Sequence, residues 1–273
     1  MKGGLGVKPL RRAAIALAAL LVAASFAGSL SSRFDYARQD REQVNAPAGR
    51  GHWLGTDDLG RDRFSRLLHG TAVSMLLAPV AAGIAVVLAF VVGAAGGFAG
   101  GWQERTAKTV IDLFLSIPWL FLLLMVRAML PLNTGPVASV TITFLVLGML
   151  GWAAPARIVL ARAQGLRRSD FILLARATGV PPGRLLTKHV MPNLRPILLA
   201  QFWLSVPVFV LAEANLSILG LGVAEPLPSL GSLLRELETM LSLPVEWCRF
   251  AALAMLLLLV SSLQLAVSKR EVS

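Results

Sequence analysis

What this 273-residue chain lacks narrows its chemistry quickly. A single cysteine, Cys248, excludes an internal disulfide and a thiolate metal cluster. Its three histidines, His52, His69 and His189, lie far apart and show no metal-ligand spacing. Charge is scarce: 15% of the residues are Asp, Glu, Lys or Arg, where a soluble domain carries about 25%. No Gly-x-x-x-x-Gly-Lys-Ser/Thr loop occurs, so the chain has no phosphate cradle of that kind for ATP. His-Glu-x-x-His, Gly-x-Ser-x-Gly and paired intramembrane aspartates are missing too. Nothing pairs a nucleophile with a base, so no catalytic residue, bound metal or resident cofactor is expected.

What is present in quantity is apolar. The chain is 56% hydrophobic, with a mean hydropathy of +0.70. Six runs approach the roughly 20 residues that cross a bilayer: 13–30, 72–97, 110–130, 137–160, 194–216 and 250–267. The composition therefore predicts an all-α, polytopic membrane helix bundle of six transmembrane helices. The first run also fits a cleaved signal peptide, because Lys2, Lys8, Arg11 and Arg12 precede it and Ala-Ser-Phe-Ala-Gly ends it. It is long for such a segment, and a retained span is the preferred reading. Residues 1–70 are expected to form the first span and an external segment. Residues 71–273 would form the main transmembrane domain, interrupted by a polar loop at about 165–196.

A net charge of +11 would suggest nucleic acid in a soluble chain. Here the bases flank apolar spans, so membrane orientation is the better explanation, and no nucleic-acid partner is expected. With the N-terminus inside, the inner segments hold 16 Lys and Arg and the outer ones 9, which predicts both termini on the cytoplasmic side. The outer acids Glu225, Glu236, Glu238 and Glu246 cluster in the last outer loop. Three charges lie at membrane depth: Asp112, Arg127 and Glu213. Asp112 reads as an interfacial residue near Arg105 or Lys108. Glu213 stands before a polar, glycine-broken segment containing Asn215 and Ser217, and two roles remain open for it: lining a cavity, or pairing with a neighbouring chain. Small residues such as Gly93, Gly97 and Gly148 are expected to let helices approach closely. Pro79, Pro118, Pro155 and Pro207 are placed to kink their helices.

The polar loop is organised. From Arg157 to Arg195 it carries eight bases and one acid, Asp170. Ser169 or Asp170 can cap a helix over Phe171–Thr178, which Gly179, Pro181 and Pro182 would stop. A second amphipathic stretch, Arg184–Met191, runs up to Pro192. Two short helices at the membrane surface would offer another protein a surface to grip.

Three segments together resemble one family, the second (C-type) permease subunit of the dipeptide/oligopeptide/nickel importers within the ATP-binding cassette (ABC) superfamily. They are His52-Trp-Leu-Gly-Thr-Asp-Asp-Leu-Gly-Arg-Asp62, the loop itself, and Glu213-Ala-Asn-Leu-Ser-Ile-Leu-Gly-Leu-Gly-Val223 with Pro228-Ser-Leu-Gly231. The loop pattern of bacterial ABC importers is Glu-Ala-Ala, three residues, Gly, nine residues, Ile, one residue, Leu-Pro. It matches at Ala175, Gly179 and Pro192, while Arg176 and Ala177 fit the subfamily's continuation. Leu173 stands at the acidic position and His189 at the isoleucine.

The resemblance implies a type I (MetI-like) permease fold in the bacterial inner membrane, with Ala175, Arg176, Ala177, Gly179 and Pro192 in an ATPase-coupling loop. It implies as partners a second permease subunit, two cytoplasmic ATPase subunits that bind the ATP, and an extracytoplasmic solute-binding protein, besides membrane lipid. Short peptides are the implied cargo, with nickel or another small solute as the alternative. A polytopic membrane enzyme is disfavoured by the missing catalytic groups. An assembly factor or passive channel would not need an organised basic loop. The segment Gly55–Asp62 reads separately as a capped turn leading into a helix over Asp62–His69 and on into the second span.

Overall fold

A computed structural model describes residues 7–31, 35–130, 134–239 and 247–267. The described residues are mainly helical, with turns, irregular loops at 35–62 and 219–229, and one isolated bridge, Thr56 with Asp62. In hydrocarbon every backbone N–H and C=O must be satisfied within the chain, and helices do this locally. The elements are α1 (Val7–Ser31), α2 (Arg63–Ala99), α3 (Gly101–Ser116), α4 (Trp119–Met129), α5 (Pro136–Leu150) and α6 (Ala153–Arg167). They continue with α7 (Asp170–Ala177), α8 (Pro182–Leu185), α9 (Met191–Ile218), α10 (Leu230–Thr239) and α11 (Ala251–Val267). Five helical segments are long and apolar enough to cross a membrane, or six if the bent pair α3–α4 counts as one.

The axis of the bundle is α2, 37 residues long. The Asp62 carboxylate accepts from the Ser65 amide at 2.7 Å and starts it, as the turn–helix reading predicts. One face of α2 is a stripe of fully buried alanines, Ala78, Ala81, Ala82, Ala85 and Ala89, and α5, α6 and α9 pack around it. The opposite face shows Leu76, Val80, Val87 and Val91, each more than half exposed. Small side chains on the inner face bring backbones together where lipid weakens the hydrophobic drive. A Cβ on Gly148 of α5 would stand 2.8 Å from the Ala81 carbonyl oxygen of α2.

The third apolar run is not one straight helix. α3 and α4 meet at an angle of 82° across Ile117 and Pro118. Proline drives its predecessor out of the helical region, and Ile117 is extended at φ −84°, ψ 127°. Asp112, in α3, pairs with Arg157 of α6 rather than with Arg105 or Lys108; Lys108 instead meets Glu104, 2.9 Å away. Both members of the Asp112–Arg157 pair are more than half exposed, so Asp112→Asn is expected to shift stability by less than about 1 kcal/mol in thermal unfolding.

The second loop helix also differs from expectation. Arg184–Met191 does not end at Pro192. α8 passes through a π-turn at Leu186–Val190 directly into α9. The Met191 amide reaches back five residues to the Leu186 carbonyl, and this local widening accommodates a proline that has no N–H to donate.

Candidate functional site

One end of the bundle carries the α7–α8 hairpin. Its underside is apolar and fixed: Ile172, Leu185, Val190 and Leu194 are at most 1% exposed and pack with Phe98, Val159, Ala163 and Leu166 of α2 and α6. The Ser169 backbone carbonyl accepts from the amides of Ile172 and Leu173, both at 3.0 Å, and starts α7. Neither the Ser169 hydroxyl nor the Asp170 carboxylate is the cap that the sequence suggests. At its other end the Val180 amide reaches the Ala175 carbonyl at 3.1 Å and the Gly179 amide reaches Arg176 at 3.0 Å, the crossed pattern that closes many helices. This closure puts Gly179 at φ +81°, while a Cβ there would meet nothing within 4 Å. Backbone conformation, not crowding, demands this glycine.

Ala175, Arg176, Ala177 and Gly179 thus come together on α7 and its stop. Pro192 sits apart, in the first turn of α9. Ala175 faces the chain's own apolar cluster, whereas Ala177 is exposed. The Arg176 guanidinium lies 4.9 Å over the Phe98 ring and pins α7 to α2. Alongside the exposed Asp170, Arg176 and Ala177, α7 turns three large apolar side chains outward: Phe171 is 44% exposed, Leu173 51% and Leu174 67%.

Glu213 and Ser217, one turn apart on α9, share a niche at the other end. The Glu213 carboxylate is fully buried and accepts from the hydroxyls of Ser217 and Ser229, each at 2.7 Å, and from the Gly231 amide at 3.3 Å. These bonds clamp α9 to the start of α10. Gly231 is required by closeness, since a Cβ there would lie 2.7 Å from the Ala214 Cα. Asn215 is not part of this niche and stands exposed on the other side of α9.

The charged cluster beside this niche is not foreseeable from residue spacing. Asp57 is fully buried and accepts from the Arg61 Nε at 2.6 Å and the Arg61 amide at 2.8 Å. Arg66, also fully buried, lies 3.5 Å from Asp57 and 3.3 Å from Glu225, and it bonds Glu236; Arg61 bonds Glu225. Burial works against the Arg61 charge, but the bonds to Asp57 and Glu225 outweigh it and hold its pKa above the ordinary arginine value. Burial pushes the Glu236 carboxyl above its usual range, and Arg66 draws it only partly back. Residues 57–66 thus pair with acids about 160 residues later in the chain, a match that local spacing does not reveal. Nearby, Arg127 of α4 is buried and donates to the Ser139 hydroxyl at 3.2 Å and the Gly222 carbonyl at 3.3 Å, tying the segment after α9 to α5. Among the described residues no group of three or more His, Cys, Asp or Glu is placed to hold a metal ion.

Polar clamps at one end and a braced apolar hairpin at the other, joined by long helices, suit a bundle moved from outside rather than one that performs chemistry. Comparison with known proteins agrees. Residues 85–269 match the family described as binding-protein-dependent transport system inner membrane component. The chain belongs to that family. It is a permease subunit of an ABC importer, with the MetI-like type I fold, and not itself an enzyme, the ATPase being a separate subunit. It is 38% identical over 229 residues to the oligopeptide transport system permease protein OppC of Mycobacterium tuberculosis, covering 82% of this chain and 77% of the relative. Identity to OppC of Bacillus subtilis is 32% over 215 residues (78% and 68%). Identity to the dipeptide transport system permease protein DppC of the same organism is 29% over 217 residues (79% and 66%). Membership makes this permease a multi-pass inner-membrane component working with an ATPase and a substrate-binding protein.

Proposed function

We propose that this permease subunit pairs with a second, similar one to enclose a pathway for short peptides, and that its α7–α8 hairpin is the element gripped by a cytoplasmic ATPase. The observation that carries the reading is the exposed apolar face of Phe171, Leu173 and Leu174 on a helix braced from beneath by buried side chains. A short helix at a water-exposed end would not present three large apolar residues unless another surface covered them. Leu173 at the position of the family's common acid makes this contact more apolar than the general pattern. The excess of bases around the hairpin favours its cytoplasmic side, with both termini there as well.

Two ATPase subunits would bind ATP, close on each other and draw the hairpins of the two permeases together, switching the bundle from inward-open to outward-open. Hydrolysis would reset it, and an extracytoplasmic binding protein would deliver cargo. Peptide cargo rests on the names of the relatives. Nickel or another small solute is the alternative cargo.

Capture of the ATPase in detergent tests the hairpin. Leu174→Arg is expected to lower co-purification of the ATPase at least ten-fold while leaving the thermal unfolding of the permease unchanged, because Leu174 is mostly exposed. Unchanged capture would sink the assignment.

A further inference from the structure

We propose that the apolar cleft between α1, α2, α9 and α11 binds one acyl chain of an anionic phospholipid, with Arg11 holding the headgroup. The cleft encloses about 470 Å³, and its walls include Ile15, Ala19, Met75, Trp203 and Leu263. Ala18, Ala19 and Ala200 leave the room that larger side chains would have filled. Ile15 is 45% exposed and Trp203 42%, so the cleft opens sideways through an apolar rim. A rim of this composition suits hydrocarbon. Walls so poor in hydrogen-bond partners hold water weakly, and an acyl chain is a molecule that can fill the cleft.

Arg11 is the one charged side chain among the described lining residues. Its Nε donates to the Ala266 carbonyl, 2.9 Å away near the end of α11, which fixes the guanidinium at the mouth. Its two Nη atoms make no hydrogen bond among the described residues, and Arg12 stands exposed beside it. A guanidinium presenting paired N–H groups suits a phosphodiester, and basic pockets between membrane helices suit anionic headgroups. The depth fits as well. From Arg11 to Val22 along α1 is about 16 Å at 1.5 Å per residue, which is half of a hydrocarbon core of roughly 30 Å. The cleft is one leaflet deep.

The test uses the full chain reconstituted in vesicles of phosphatidylethanolamine and phosphatidylglycerol, extracted in mild detergent and weighed by native mass spectrometry. One phosphatidylglycerol is expected to remain bound. Arg11→Glu should lower its retention at least ten-fold, and Ala19→Phe, which fills the cleft, should abolish retention with helix content unchanged. A second readout needs neither variant. After excess lipid is removed, phosphatidylglycerol brominated along its chain should quench the part of the tryptophan fluorescence that Trp203→Phe eliminates. Equal retention of the two lipids, full retention by Arg11→Glu, or no quenching at Trp203 would overturn the proposal. So would cross-linking of Ala19→Cys to a partner permease chain, because a protein helix would then occupy the cleft.

Discussion

Asp57→Ala is expected to destabilise the protein by about 3–5 kcal/mol, the usual consequence of removing one member of a buried ionic cluster. Asp57 is fully buried, and it answers both Arg61 and Arg66 while also accepting the amides of Leu59 and Arg61. Without it, Arg66 keeps Glu225 and Glu236 but loses the carboxylate facing its Nε, and two amides are left without acceptors. The neighbouring Asp58 is exposed, so Asp58→Ala should change stability by no more than about 0.5 kcal/mol. Thermal unfolding in detergent separates the two. Matching losses for Asp57→Ala and Asp58→Ala would mean that the cluster does not hold this end of the bundle together.

Gly97→Leu is the second large effect. Gly93 and Gly97 are one turn apart on α2 and face α6. A Cβ on Gly97 would lie 2.6 Å from the Leu160 carbonyl oxygen and 2.7 Å from the Ala163 Cβ, and one on Gly93 would lie 2.7 Å from the Ala156 carbonyl oxygen. Most of these neighbours are backbone, which cannot swing aside, so α2 and α6 would have to part. Gly97→Ala is expected to cost about 1–3 kcal/mol and Gly97→Leu more than about 3. Gly83 on the same helix meets nothing within 4 Å, and Gly83→Ala should stabilise by up to about 1 kcal/mol through helix propensity alone. Opposite signs for alanine at 83 and 97 would confirm close approach as the cause. Equal losses at both positions would reject it.

Hydropathy made the spans legible, because a bilayer demands length and apolarity before anything else. Asp62 as a cap and Gly179 as a stop were legible too, since both act on backbone groups within a few residues. Other features depended on distant parts of the chain. Pro118 is visible as a kink, but neither the 82° bend nor the packing of α3 on α2 and α6 and of α4 on α5 and α9 can be read from it. Pro192 looked like a stop, yet a π-turn carries the helix past it. Arg61, Arg66, Glu225 and Glu236 looked like ordinary loop charges because their partners lie far along the sequence. Glu213 stands out in the sequence as an acid at membrane depth, but only the fold shows that Ser217, Ser229 and Gly231 satisfy its oxygens.

The unbroken passage from α8 into α9 makes residues 183–218 one rod of 36 residues, about 54 Å long at 1.5 Å per residue. Its foot, in α8, is one arm of the hairpin, and its tip carries Glu213. A rod pivoting near its middle by about ten degrees would swing each end by roughly 5 Å on that length. The carboxylate clamp at the tip would then break or re-form as a whole. Leverage of this kind needs no chain of small side-chain adjustments between the two faces of the membrane.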